Sequence, residues 1–111
     1  MGREEILPGT LHLLILQTLA RGGELHGYEI ARTIQQRSQD VLQVEEGSLY
    51  PALQRMLKDG LVKAEWKVSA TNRRVREYSI TAAGVRHLER ERSRFEQMLA
   101  GIHLVLAPAE S

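Results

Sequence analysis

Hydrophobic positions along the chain predict four helices and one hairpin. Leu11, Leu13, Leu14, Ile15, Leu16 and Leu19 spread nearly all round a helical axis, so the helix they form must be covered on every side. Thr10 offers it an N-cap, and Gly22 and Gly23 stop it after Arg21. One side is expected beneath another helix of the same chain and the other, with Leu13 and Leu16, against a second subunit. Burial within one chain is the alternative. The second helix is predicted over His26 to Arg37, with Gly27, Ile30, Ala31 and Ile34 inward and His26 as a local capping or packing residue. Ser38 to Val44 connects it to the third, with Val41, Leu42 and Val44 as anchors. Within Glu45 to Gly60, Leu49, Ala52, Leu53, Met56 and Leu57 recur at i, i+3, i+4, i+7 and i+8 and gather on one helical face. Pro51 fits only an early turn, because it lacks an N–H and its ring crowds the preceding turn, so this helix is expected to start between Glu45 and Ser48.

After Gly60 the period changes. Leu61 to Val68 alternates, with Val62, Ala64, Trp66 and Val68 on one face and Lys63, Glu65 and Lys67 on the other. A polar turn over Ser69 to Arg74 leads into a return strand carrying Val75, Tyr78 and Ile80. Trp66 is expected to pack at the hairpin rather than to stack on bases. Thr81 then caps a long helix that runs to about Ala107, before Pro108. Val85, Leu88, Arg92, Phe95, Leu99, Ile102 and Leu106 form a heptad-like seam that one charge interrupts. Such a helix is roughly 37 Å long at 1.5 Å per residue, more than a small domain covers. Folding back on its own domain explains the first turns but not Leu99 to Leu106. Leu13, Leu16, Leu88, Phe95, Leu99, Ile102 and Leu106 are therefore the expected dimerisation residues. At the other end, Met1 to Ile6 is expected to fray unless Ile6 and Leu7 tie it down, and Pro8 and Gly9 punctuate the chain before the first helix.

The expected class is mainly α with a small β-hairpin. Three helices followed by a hairpin is the order of a winged helix-turn-helix, here continued by a long C-terminal dimerisation helix. The expected units are residues 1–81 as the DNA-binding domain with its N-terminal helix, 82–107 as the dimerisation helix and 108–111 as a tail. On the third helix Ser48, Tyr50, Gln54, Arg55 and Lys58 oppose the apolar face, combining hydroxyls and an amide that can read base edges with cations that can reach phosphates. An isolated amphipathic helix with such a face is more often only structural; the hairpin after it shifts the balance toward recognition. Asn72, Arg73 and Arg74 lie at the hairpin tip, where long guanidinium side chains can enter a minor groove or hold phosphates. Tyr28, off the apolar stripe of the second helix, either donates to a phosphate or covers the domain edge.

Four motifs sharpen this. LHGY at Leu25 to Tyr28, EGSLYPAL at Glu46 to Leu53, NRR at Asn72 to Arg74 and TAAG at Thr81 to Gly84 resemble the PadR family of bacterial transcriptional regulators, from about Gly9 to about Gly84. HGY followed by GSLYPAL is a specific pairing, whereas TxxG occurs in many winged-helix proteins. The resemblance implies a homodimeric regulator, a repressor, that binds double-stranded DNA at an inverted repeat. It places the residues matching Gly47, Ser48, Tyr50 and Pro51 at the DNA-facing tip. It also implies a small-molecule effector, since the family is similar to regulators that respond to phenolic acids or hydrophobic drugs, held between the long helices. Here that helix carries Phe95 as its only aromatic and no tryptophan, which speaks against an aromatic drug sandwich.

Composition narrows the field further. With 111 residues the chain is one domain with a small core. Its formal net charge of +1 does not announce nucleic acid, but Arg55 with Lys58, and Arg73 with Arg74 and Arg76, are local basic clusters that the sum conceals. That near-neutral total also leaves room for a second class, a winged-helix protein-interaction module that never binds DNA. The absence of cysteine excludes disulfides, thiolate catalysis and cysteine-ligated zinc. His12, His26, His87 and His103 lack a metal-ligand spacing, and no phosphate loop or nucleophile elbow occurs, so no metal, cofactor or enzymatic activity is expected. No apolar run approaches the about 20 residues a membrane span needs, and no signal-type start occurs, so a cytoplasmic protein is expected.

Overall fold

The computed structural model describes residues 4–6 and 9–109, so the expectations placed on Leu7 and Pro8 lie outside the described residues. The elements run β1 Glu4–Glu5, α1 Leu11–Gly22, β2 Leu25–His26, α2 Gly27–Arg37, β3 Leu42–Gln43, α3 Glu46–Lys58, β4 Val62–Val68, β5 Arg74–Ile80 and α4 Ala82–Leu106. The helices, the hairpin and the long last helix are those the sequence pattern predicts. Two pairings are additional. β2 adds antiparallel to β5, making a three-stranded sheet of order β2-β5-β4, and β1 pairs in parallel with β3. The segment expected to fray is therefore tied at Glu4 and Glu5, and Ile6 packs against the core.

One apolar cluster joins every helix to the sheet. Ile15, Leu16 and Leu19 of α1 meet Ile30 and Ile34 of α2, Leu49, Leu53 and Met56 of α3, Val62 and Tyr78 of the sheet, and Leu88 of α4. Thr18 is buried among them, and its hydroxyl donates to the Leu14 carbonyl at 2.7 Å, which satisfies it without leaving the helix. Leu16 and Leu88 correct the dimerisation set. Leu16 is 0% and Leu88 5% exposed, so both are enclosed by their own subunit and serve its core. A helix apolar on all sides demands cover, but its pattern does not say whose.

Three smaller expectations also shift. Thr10 stands at the N-cap of α1 with torsions already in the α region. Of the connector anchors, Leu42 and Val44 pack against the core while Val41 is exposed; the turn is closed instead by the Ser38 hydroxyl, which accepts from the Leu42 N–H at 3.0 Å and donates to the Gln35 carbonyl. Pro51 lies in the second turn of α3, where the N–H it lacks would have met the carbonyl of Gly47.

The root of α4 is held tightly. Thr81 caps the helix by accepting from the Gly84 N–H at 3.0 Å, and its hydroxyl donates to the Gly60 carbonyl at 2.6 Å. Gly84 lies against the backbone of Leu61, whose carbonyl a Cβ would strike. Beyond Leu88 the helix leaves the core. Arg92, the charge in the seam, donates to the Gln17 side chain of α1 at 3.1 Å, Phe95 is half-buried, and Leu99, Ile102 and Leu106 are exposed on a single subunit.

Gly84→Ala is expected to lower unfolding free energy by about 1–3 kcal/mol, the usual cost of forcing a methyl group into a packed site, even though alanine favours a helix interior by about 1 kcal/mol. Urea denaturation measures it, and a variant as stable as the parent would show that the contact yields.

Candidate nucleic-acid interface

Burial of Leu49, Ala52, Leu53 and Met56 fixes how α3 is rotated about its axis, and the residues left outward are Gly47, Ser48, Tyr50, Pro51, Gln54, Arg55 and Lys58. They form one continuous polar surface, with Glu46 in the first turn and Arg55 and Lys58 in the last, as the helix dipole favours. Tyr50 is buttressed from α2. A Cβ at Gly27 would come within 2.7 Å of the Tyr50 hydroxyl and 2.8 Å of its ring, so the close neighbour that Gly27 admits is this side chain. Burial, followed by the charges of Glu46 and Tyr78, raises the Tyr50 pKa, which keeps the phenol neutral and able both to donate and to accept.

Tyr28 projects from the start of α2 with 64% of its surface exposed, so it does not seal the domain edge. Its ring stacks beside His26 with centroids 6.4 Å apart. His26 in turn donates its backbone N–H to the Glu29 carboxylate at 3.0 Å, which secures the first turn of the helix.

The wing is a regular ladder, pairing Val62 with Ile80 through Val68 with Arg74. Its tip is closed by the Ser69 N–H donating to the Arg73 carbonyl at 2.7 Å and the Asn72 N–H donating to the Ser69 carbonyl at 2.9 Å. Asn72 has φ of 62°, a left-handed conformation that asparagine tolerates, so it shapes the turn that presents Arg73. Trp66 packs within the hairpin, but in the open. It is 57% exposed, because this end of the hairpin extends past the core, and it carries the Arg74 guanidinium 4.7 Å from its ring centroid. Arg76 lies over the same ring at 5.7 Å. The alternation of β5 places Arg74 and Arg76 on one face, but only the cross-strand register shows that Trp66 lies opposite. On the other face Lys67 is paired with Glu24 at 3.0 Å and Glu77 at 3.2 Å.

On the opposite flank of α3, His12 of α1 lines a groove with Ser48, Pro51 and Arg55. Burial, then the charge of Arg55, depresses its pKa; His87 of α4 acts in the same sense, and Asp59 opposes them. No group of three or more metal-ligating side chains occurs among the described residues. Among the same residues no helix is long and apolar enough to cross a membrane.

Residues 15–90 match the model of the transcriptional regulator PadR-like family. An uncharacterised protein of Lysinibacillus sphaericus is 30% identical over 88 residues, which span 79% of this chain and 80% of that protein. Among solved structures, a transcriptional regulator from Clostridium thermocellum superposes with a TM-score of 0.80 at 26% identity, covering 88% of this chain and 94% of that one. A PadR-like transcriptional regulator from Bacillus cereus gives 0.76 at 28% identity, over 91% and 95%. Bacillus subtilis PadR in complex with operator DNA gives 0.64 at 25% identity, over 72% of this chain and 46% of that one.

The depressed pKa of His12 makes a testable contribution to stability. The unfolded chain takes up its proton near pH 6.5 and the folded chain only below that, so the stability tied to neutral His12 is complete above 6.5 and is lost as the pH falls through the folded value. The unfolding free energy of the parent minus that of His12→Gln should therefore decrease between pH 7.5 and 5; a difference that stays level or grows would contradict the assignment.

Proposed function

From the premise that the chain belongs to the PadR-like family of transcriptional regulators, we propose that it is a DNA-binding repressor acting as a homodimer on an inverted-repeat operator. The observation that carries this reading is the outward face of α3: Gly47, Ser48, Tyr50, Pro51, Gln54, Arg55 and Lys58 are exposed on a helix whose other side is sealed in the core. Set into a major groove, Ser48, Tyr50 and Gln54 would meet base edges or nearby phosphates, and Arg55 and Lys58 the phosphates. Arg73 and Arg74 would hold the backbone or the minor groove beside it, with Tyr28 donating to a phosphate at the start of α2. The Bacillus subtilis relative bound to operator DNA supports this use of the fold. A bacterial DNA partner would be met in the cytoplasm.

The unburied part of α4 supports the dimer. Leu99, Ile102 and Leu106, continuing from half-buried Phe95, offer an apolar strip that a second α4 would cover, with half-buried Leu13 of α1 as the contribution of the first helix. In this division residues 1–81 contact DNA and residues 82–107 pair the subunits. A two-fold dimer brings two α3 helices to half-sites about 10 bp apart, or a multiple of that. A hydrophobic effector that releases DNA would bind along the same strip, where Met98, Gly101, Ile102, Val105 and Leu106 line an apolar groove.

Selection of bound fragments from random DNA tests binding, symmetry and spacing together. Palindromic fragments should be enriched, and enrichment of none would favour the polypeptide-binding alternative. Changing both Arg73 and Arg74 to alanine should weaken binding to all sequences and flatten the dependence of log K on log salt by about two units, near 0.9 per phosphate contact. The double change Leu99→Asp, Ile102→Asp should sediment as a monomer and lose operator affinity; a dimer that survives it would remove α4 from the interface.

A further inference from the structure

The groove between the start of α2, the Tyr50 ring and β5 contains a cation that the proposed reading leaves unused. Arg76 pairs across the sheet with Trp66 and shares its face of β5 with Tyr78. Its guanidinium carbon is 5.7 Å from the Trp66 ring centroid and 5.8 Å from that of Tyr78, so two aromatic faces hold the charge in place. Its Nε is enclosed by protein and has no hydrogen-bond partner among the described residues. Folded proteins rarely leave such a donor unpaired, because it gives up water and gains nothing in return. Tyr28, Tyr50 and Arg74 line the same concavity, and among the described residues no carboxylate does. Three phenols and two guanidinium groups around one hollow suit an oxyanion. The sealed Nε is out of a ligand's reach, so an oxyanion would compensate it through the charge of the whole guanidinium.

We infer that this groove seats one DNA phosphate, with Arg76 as its central cation and Trp66 as the positioning residue that holds the guanidinium toward it. The inference rests on the DNA-binding reading above and adds a contact to it. A duplex held at once by α3 and by the wing passes its backbone between them, which is where the groove lies. A phosphodiester supplies oxygens that a planar guanidinium can engage in pairs, and the flanking hydroxyls can donate to the same group.

The test is fluorescence anisotropy of the full chain on its selected operator and on a random duplex, over a range of salt concentrations. Arg76→Met should weaken both complexes by the same factor and lower the magnitude of the salt slope by about one unit. Arg76→Lys should keep the slope and still bind less tightly than the parent, since an ammonium lacks the planar fork. In an Arg74→Ala background, Trp66→Ala should weaken binding but add little to Arg76→Met, which a merely structural role for Trp66 would not produce. An unchanged slope in a folded Arg76→Met overturns the inference. If that variant does not fold, single methylphosphonates scanned along the operator decide: one position per half-site should cost the parent more affinity than Arg76→Lys, and identical profiles overturn the assignment. A parent that binds no DNA at all sinks the functional reading instead.

Discussion

Everything outward on this molecule is set by what α3 turns inward. Leu49, Leu53 and Met56 are each at most 1% exposed, and burying side chains of this size stabilises by about 1.5–3 kcal/mol apiece, an upper figure because the unfolded chain is itself partly collapsed. Rotating the helix by one residue would bring apolar groups into water and polar ones into the core. Its rotation is thus fixed more firmly by packing than by any polar contact. The surface from Gly47 to Lys58 inherits that rigidity, as a recognition surface must if its side chains are to meet fixed atoms on a duplex.

Charge is arranged by the same economy of position. The net charge of +1 hides a sorting of cations into paired and unpaired sets. Lys67 is occupied by Glu24 and Glu77, Arg92 lies beside Glu96, and Arg94 pairs with Glu91. Such exposed pairs add little stability, but they remove those cations from the local field. Most of the other described cations take part in no ion pair, and Arg55, Lys58, Arg73 and Arg74, along α3 and the wing, are among them. A global sum cannot report this, because it treats a neutralised lysine and a free arginine alike.

Most of the architecture was legible in the sequence because its main elements are long and strongly periodic. The inward stripe of α3, the Thr81 cap and the run of α4 all follow from spacing that a single sequence displays. What stayed hidden is short or relational. The pairings of β1 with β3 and β2 with β5 span two residues each, too few for any alternation to show. Leu16 illustrates the relational kind: its hydrophobicity demands burial, and only the packing shows that its own subunit supplies it. Trp66 is relational in another way, since alternation groups it with Val62, Ala64 and Val68 on one face without revealing that the hairpin outruns the core there. Of the interface, the polar face of α3 was legible from spacing, whereas the Arg76 groove depends on which residues face each other across a ladder.

The clasp between Thr81, Gly84 and the Gly60–Leu61 backbone carries a mechanical implication. It fastens the base of α4 to the turn that ends α3, so the two helices move as one bent bar. An arm of roughly 37 Å turns a tilt of about 5° into a displacement of about 3 Å at its far end. That is close to the rise of one base pair along a strand, about 3.4 Å. In the dimer proposed above, a molecule wedged at the tip of such an arm would put the two α3 helices out of step without reaching them, by a few degrees of splay.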